Sequence, residues 1–440
     1  MKTLLHNCLG IGMLVILLSS SCTAAQQVVP TPTFTPAPTP TATPVPPPYK
    51  ILFPEDMRSD LDELFRQIEK YHPNPYTKRS KEDIDRDRQA LYEELDQRMT
   101  IVDFYRKVAP LIDSLGDSHT VVFPSNDTFR QIDSYETVFP LEVEFDDGKA
   151  YIIKNYTSNP DIPLGAELLT INGTPLSTLQ NNIITDPGFS FDWKMWLLNG
   201  SSAEYQMTLL PAGENIPVNF IVPGLTYNEI YKQDAGSGAR EEVAYRTLPN
   251  EKIGILTLNN FRSIYEPVKQ GFSQIQEDGV QNLIIDIRRN GGGYFESLDL
   301  FMNYLTDQPY QKCYKCAFNQ PWDNVSNRYH GKIYLLVGPD TYSAAVMLAT
   351  ILQDHQLATL VGEETAETST FCAYVMIGGD PLPRTGLRYM VSSKCYVRPN
   401  GIVDGRGVIP DMIVETTIDD KLTGNDPVLD YTLKMIRDSE

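Results

Sequence analysis

Two apolar stretches of this 440-residue sequence end in residues suited to acyl-transfer chemistry. In LIIDIRRNGGG, residues 283–293, three consecutive glycines follow a strand-like run, and glycine lets backbone amides approach a ligand closely. Amides so placed can hold the oxyanion of a tetrahedral intermediate. In GPDTYSAAVMLATILQDH, residues 338–355, Ser343 stands at the first turn of an apolar helix, with Ala344 and Ala345 leaving room beside it. The helix dipole and free N-terminal amides favour an anion there. Each stretch also has a plainer structural reading. The glycines can be a tight turn, and Ser343 can be a helix N-cap.

A serine nucleophile needs a base, and histidine is the natural one near neutral pH. The chain has five histidines. His6 lies in an apolar leader. His355 follows Ser343 on the same helix by about 18 Å along the axis, at ~1.5 Å per residue, and is out of reach. His72, in YHPNP, reads as a helix-end residue and His330 as the start of a strand. His119 remains, in LGDSHTVVF (115–123) and directly after Ser118. Its plainer reading is a satisfied histidine at a capped helix terminus.

The elements that must position these residues follow from hydrophobic periodicity. Leu61, Leu64, Phe65, Ile68 and Tyr71 recur at helical spacing, as do Ile84, Leu91 and Leu95 after Ser80, and Phe104, Val108, Leu111, Ile112 and Leu115. Three amphipathic helices make a small bundle or cap over residues 49–125. The period then switches to two in VFPLEVEF and KAYIIKN. It is followed by PLGAELLTINGTPLSTLQNNI, with a glycine turn, the strand ELLTI and the tight turn Asn172–Gly173. This order is similar to the carboxylate-binding-loop region of PDZ modules, although Ala166 replaces the usual Asp. Any small β-rich domain is the alternative for residues 130–222. From 223 to 440, near-continuous apolar strands alternate with helices, which argues for a buried and largely parallel sheet with its site at the strand carboxyl ends.

Composition narrows the partners. With 57 acidic against 37 basic residues and a net charge of -20, the chain repels nucleic acid and anionic membrane faces. Residues 1–21 read as a signal peptide, with Lys2 before the apolar run LGIGMLVILL, which is too short to span a bilayer. Cys22 after small residues resembles a bacterial lipobox, with Leu18 one position further away than usual; plain secretory cleavage after SCTAA is the alternative. Residues 22–48, rich in Thr-Pro, form an extended tether to an extracytoplasmic membrane face. Four cysteines remain in the body. CYKC with two distant cysteines can be a zinc site, but an exported chain favours disulfides. Cys372 and Cys395 flank a turn-rich centre almost symmetrically, which suggests the pairs Cys372–Cys395 and Cys313–Cys316. No metal or cofactor is implied, since no HExxH or comparable cluster occurs.

In order and spacing, DIRRNGGG, YSAA, VGEET and GRGVIPD resemble the C-terminal processing peptidases and the tricorn core protease. The resemblance covers most of the mature chain. It implies a multidomain α/β (α+β) protein with an N-terminal helical bundle, a divergent PDZ-like module and a catalytic domain of the crotonase-like/ClpP-like type. It further implies that Ser343 is the nucleophile and that amides of Ala344 and of Gly293 or Gly292 form the oxyanion hole. The processing-peptidase branch takes its base from a Lys ending a G..T.GK element. The matching residues here, GEETAET (362–368), place Thr368 at that Lys and Glu367 at the Gly. A neutral hydroxyl cannot replace a deprotonated amine. The tricorn-type branch uses a Ser-His pair and a Glu three residues before the Gly of G..PD. Those positions match Ser118, His119 and Asp404. The expectation is therefore a secreted or lipid-anchored serine peptidase acting on peptides, with His119 as base and Ser118 and Asp404 as its partners. A catalytically inactive peptide- or lipid-binding protein on the same fold is the alternative.

Overall fold

Helix α1 (Pro54–Tyr71) begins with Pro54 at its first position, where the missing N–H costs nothing, and with Glu55 and Asp56 in the first turn. α2 (Lys81–Glu94) and α3 (Ile101–Asp113) are capped by Ser80 and Thr100, whose hydroxyls accept the N–H groups of Asp83 and Asp103. The apolar residues at helical spacing form one buried cluster, with Leu61, Leu64, Phe65, Ile68, Phe104, Val108 and Ile112 inside. The computed structural model describes residues 49–182, 190–234, 241–373 and 381–439. The expected leader, Cys22 and the tether lie outside the described residues.

After α3 the chain makes the short strand β1 (Val121–Phe123), then an antiparallel sheet of β2 (Leu141–Asp146), β3 (Lys149–Asn155), β4 (Glu167–Ile171), β5 (Glu204–Leu210) and β6 (Val218–Pro223). Its order is β6-β5-β4-β3-β2. ELLTI is β4, and the turn after it has Asn172 at φ 50° and Gly173 at φ 77°, a left-handed pair that asparagine and glycine accept. Packing does not respect a boundary at 223. Trp193 and Trp196, then Tyr227 and Ile230, are buried in the helical cluster rather than against the second sheet.

That second sheet contains β7 (Val243–Leu248), β8 (Ile253–Leu258), β9 (Asn282–Asp286), β10 (Lys332–Val337), β11 (Thr359–Gly362) and, at its far edge, Met412–Ile413. β7 is antiparallel to β8 and every later pair is parallel. Successive residues of β9 serve opposite faces, as the pleat requires. Leu283 and Ile285 pack with α4 (Tyr265–Glu277), α5 (Phe295–Leu305) and α6 (Ala344–Asp354). Ile284 packs with Val428 and Ile436 of α7 (Pro427–Asp438). Coverage on both sides explains why these strands read as continuous apolar runs.

The two ends of the chain interlock. Strand Arg388–Met390 pairs antiparallel with β1, and Leu382, Leu387 and Val391 enter the helical core. Asp60 on α1 is fully buried, and its carboxylate accepts the N–H groups of Arg384 (3.1 Å) and Thr385 (2.6 Å). A buried charge must be matched by donors, so this contact fixes how the 381–391 segment docks. The four body cysteines pair as Cys313–Cys316 and Cys372–Cys395, the latter directly opposite each other on strands Phe371–Ala373 and Lys394–Tyr396.

Candidate active site

β10 ends at Val337, and the chain turns into α6 through Ser343, which has φ 55° and ψ -119°. That region is sparsely populated for a residue with a side chain, so the surroundings must impose it. The Thr341 hydroxyl donates to the carbonyl of Ile287 (3.0 Å) and accepts the N–H of Gly338 (3.1 Å). Tyr342 N–H donates to the carbonyl of Asn290 (2.9 Å), and Ser343 N–H donates to a carboxylate oxygen of Glu367. No side-chain cap bond forms at Ser343, so the N-cap reading of its hydroxyl does not apply.

The Ser343 hydroxyl meets Nε2 of His119 at 3.0 Å across 224 residues of sequence. His119 lies between α3 and β1, in the segment that the β1 pairing and Asp117 hold. Its ring is sandwiched by Tyr342 (centroids 5.3 Å apart) and Phe371 (5.7 Å). Nδ1 faces Glu367 Oε1 at 3.4 Å and the Ser118 hydroxyl at 3.3 Å, and Ser118 in turn donates to Glu367 Oε1 at 3.3 Å. With acceptors on that side the proton sits on Nδ1, leaving the Nε2 lone pair for the serine. Burial lowers the His119 pKa below its ordinary value, and the negative charge of Asp117 opposes this only in part. The imidazole is therefore neutral at pH 7, as a base must be.

Asp117 is a support that sequence reading passed over. Asn74 N–H donates to His72 Nδ1, so His72 Nε2–H donates to Asp117 Oδ2 at 2.8 Å. Thr120 donates to the same oxygen at 2.6 Å, and Asp117 Oδ1 accepts the N–H of His119 at 3.2 Å. Burial pushes the Asp117 carboxyl up, but the hydrogen bonds from His72 and Thr120 outweigh it and hold it below its ordinary value. His72 does end α1, as expected, and through Asp117 also anchors the loop that carries His119.

Two expected site residues need correction. Asp404 is exposed and accepts the N–H of Arg406; the carboxylate at His119 is the buried Glu367. The GRGVIPD stretch instead staples the sheet edge. Gly407 N–H and Arg406 bind Glu364, and Asp411 accepts the N–H of Leu360 at 2.8 Å. Gly292 is not a free donor either, because its N–H is taken by Asn290 Oδ1 at 2.9 Å. Gly292 serves by shape: a Cβ there would stand 2.6 Å from Ser343 Cβ. Among the described residues no intramolecular acceptor is assigned to the N–H groups of Gly293 and Ala344, the two amides flanking the serine. Asn290, fully buried, ties this loop to Leu258 and to Tyr342. Thr368 turns away, donating to the carbonyl of Thr370. His355 meets the backbone of Gln311, and His330 is exposed.

Glu367 was visible in sequence only as a departure from a glycine. Three acids, Glu363, Glu364 and Glu367, share that short segment, and residue type alone does not choose among them. Their partners do. Glu363 accepts the N–H of Thr416, Glu364 pairs with Arg406, and only Glu367 reaches the serine and histidine.

Residues 252–414 match the model of peptidase family S41. Among curated proteins, the chain is 30% identical over 124 residues to a carboxyl-terminal-processing protease of Synechocystis, covering 27% of this chain and 28% of that protein. It is 24% identical over 297 residues to a chloroplastic C-terminal processing peptidase of Tetradesmus obliquus, covering 63% and 60%. The matches thus span less than two thirds of the relatives' own length. Among solved structures, mature CPAF superposes with a TM-score of 0.58 at 15% identity over 87% of this chain and 97% of that one, which establishes a shared fold.

Proposed function

We propose, from the match of residues 252–414 to peptidase family S41, that this chain is a serine peptidase working through Ser343, His119 and Glu367. The observation that carries the reading is the 3.0 Å contact between the Ser343 hydroxyl and His119 Nε2. Ser343 Oγ attacks the scissile carbonyl while Nε2 takes its proton. Glu367 and Ser118 hold the Nδ1 proton and stabilise the imidazolium that results. The N–H groups of Gly293 and Ala344 receive the oxyanion. His119 then returns the proton to the departing amine, leaving an acyl-serine. Water attacks the acyl group by the same route in reverse, and Ser343 is regenerated.

Glu367 makes a second contact that a carboxylate bonded only to histidine lacks. One oxygen faces the base and the other accepts the N–H of the nucleophile, so the same side chain registers both halves of the pair. The reading extends to the rest of the chain. The β2–β6 sheet serves as a PDZ-like module that receives an extended peptide by strand addition. The leader, Cys22 and the Thr-Pro tether anchor an extracytoplasmic lipoprotein whose substrates are peptides or unfolded protein segments. No helix among the described residues is long and apolar enough to cross a membrane.

A fluorophosphonate probe tests the chemistry. Folded wild-type protein is expected to label covalently at Ser343, with labelling abolished in Ser343→Ala and strongly slowed in His119→Ala. Folded wild type that stays unlabelled would refute the assignment.

A further inference from the structure

A cavity of 240 Å³ lies against α6, with Met347, one helical turn beyond Ser343, in its wall. Its walls include Phe295, Met347, Tyr396 and the Cys313–Cys316 bridge, with Lys312 and Lys394 also at its lining. Two contacts and one sequence adjacency relate it to the Ser343–His119 pair. Met347 N–H donates to the carbonyl of Ser343 (3.0 Å), one helical turn along α6, and helical side chains lean back toward the N-terminus. Phe295 follows the Gly293 loop by two residues. Tyr396 packs on Phe295 (centroids 5.1 Å) and on Phe371 (5.9 Å), the ring that stacks on His119. The cavity thus touches the helix that begins at Ser343 and the start of the helix that follows the glycine loop, and one of its walls, Tyr396, packs on the ring that stacks on His119.

Its charge is unusual for this chain. In a protein of net charge -20, two lysines line one small apolar cavity. Lys312 is neutralised by Asp299 at 2.8 Å. Lys394 is exposed, lies 4.8 Å from the Tyr396 ring centroid, and has no carboxylate partner assigned among the described residues. The neighbouring cavity of 510 Å³ has Glu296 and neither lysine nor arginine among its described lining residues, so it disfavours an anionic group. Apolar walls suit an aliphatic stem, and the Lys394 ammonium suits a carboxylate at its end.

Resting on the serine-peptidase reading, the geometry points to a specificity pocket. It receives the side chain of the residue whose carbonyl Ser343 attacks, and Lys394 selects a carboxylate there. Glutamate, with its longer stem, is preferred to aspartate.

Peptidyl diphenyl phosphonates with blocked N-termini, carrying Glu, Asp, Gln, Leu or Lys at that position, provide the test. The readout is the rate of covalent labelling at Ser343. Wild type is expected to favour Glu over Gln by roughly tenfold, with the advantage shrinking as ionic strength rises. In Lys394→Glu the order should invert so that the Lys probe outpaces the Glu probe. Ratios within one variant do not depend on the fraction folded. A Glu probe no faster than Gln and Leu in wild type, or ratios unmoved in Lys394→Glu, overturns the pocket assignment. If a peptide substrate with Leu at that position is hydrolysed faster with a free C-terminal carboxylate than as its amide, and Lys394→Glu removes that advantage, Lys394 reads the chain end and the side-chain assignment fails. Labelling by a simple fluorophosphonate separates the two levels: with it intact, only the pocket is wrong, and without it the peptidase reading falls too.

Discussion

A single carboxylate carries more at this site than the sequence pattern assigns to it. Glu367 faces the histidine, the supporting serine and the nucleophile's own amide. Replacing it with Gln disturbs the Nδ1 proton and the Ser343 backbone together, and turnover is expected to fall roughly 10²- to 10⁴-fold. Asp404→Asn, at an exposed position away from the pair, should leave turnover within about twofold of wild type, because surface changes remote from such features are nearly neutral. Peptide hydrolysis by the two variants side by side distinguishes the carboxylates. Equal losses would remove Glu367 from its role.

The His119 pKa gives a pH dependence with a definite sign. Burial lowers it below the ordinary histidine value, so the neutral base persists to lower pH than a free imidazole would. The acid limb of kcat/KM should fall below pH 6.5 rather than above it. In folding, an unfolded His119 takes a proton near pH 6.5 that the folded one resists. Its contribution to stability is therefore complete above that pH and lost as pH falls toward the lowered folded value. Urea titrations of wild type and His119→Gln between pH 5 and 8 should show a weaker decline in the variant.

At the scale of elements, the Ser343 backbone is strained and its neighbours keep it so. Gly292 has φ 86° and lies against Ser343, and a methyl group there meets both Ser343 Cβ and the N–H side of Ala344. Gly292→Ala should cost about 1–3 kcal/mol of stability and most of the Ser343 labelling rate, measured by thermal melts and probe kinetics. The Cys372–Cys395 bridge sits between the strands that carry Phe371 and Tyr396, closing a loop with a sequence separation of 23. Its removal as the double Ser variant should destabilise by roughly 3 kcal/mol. Labelling should slow further than unfolding alone explains, since Phe371 supports the His119 ring.

The helices, the β4 turn and the parallel sheet were legible because their signals are local. Helical spacing, the caps Ser80 and Thr100, and Asn172–Gly173 each act over a few residues. The boundary near 223 was not legible, because Tyr227 and Ile230 are apolar in any domain and only packing shows which core they join.

At the scale of the molecule, the site exists only when the N-terminal helices dock on the sheet that carries Ser343. Asp60 is the clearest anchor of that docking, since two backbone N–H groups of the 381–391 segment end on its buried carboxylate. Asp60→Ala leaves both donors unmatched, at about 1–3 kcal/mol each. Its melting temperature should drop. Labelling of Ser343 should also fall at temperatures where the variant is still folded by circular dichroism, because the loop bearing His119 shifts with the helices. Unchanged labelling in the folded variant would show that docking does not depend on this contact.

Ser343, His119 and the glycine loop were legible in the sequence as candidates for nucleophile, base and amide donors. Ser343, His119 and the glycines lie in short motifs whose residue types and local geometry are the signal. The sequence also excluded His355, because helix rise alone puts it out of reach. Which carboxylate lies against His119, and which glycine N–H is taken by a neighbour, became visible only in the folded chain. Those choices rest on distances between segments remote in sequence: Glu367 against His119, Asn290 against Gly292 and Tyr342, Asp60 against Thr385. An acidic residue looks the same in sequence whether it is buried against a histidine or solvated beside an arginine.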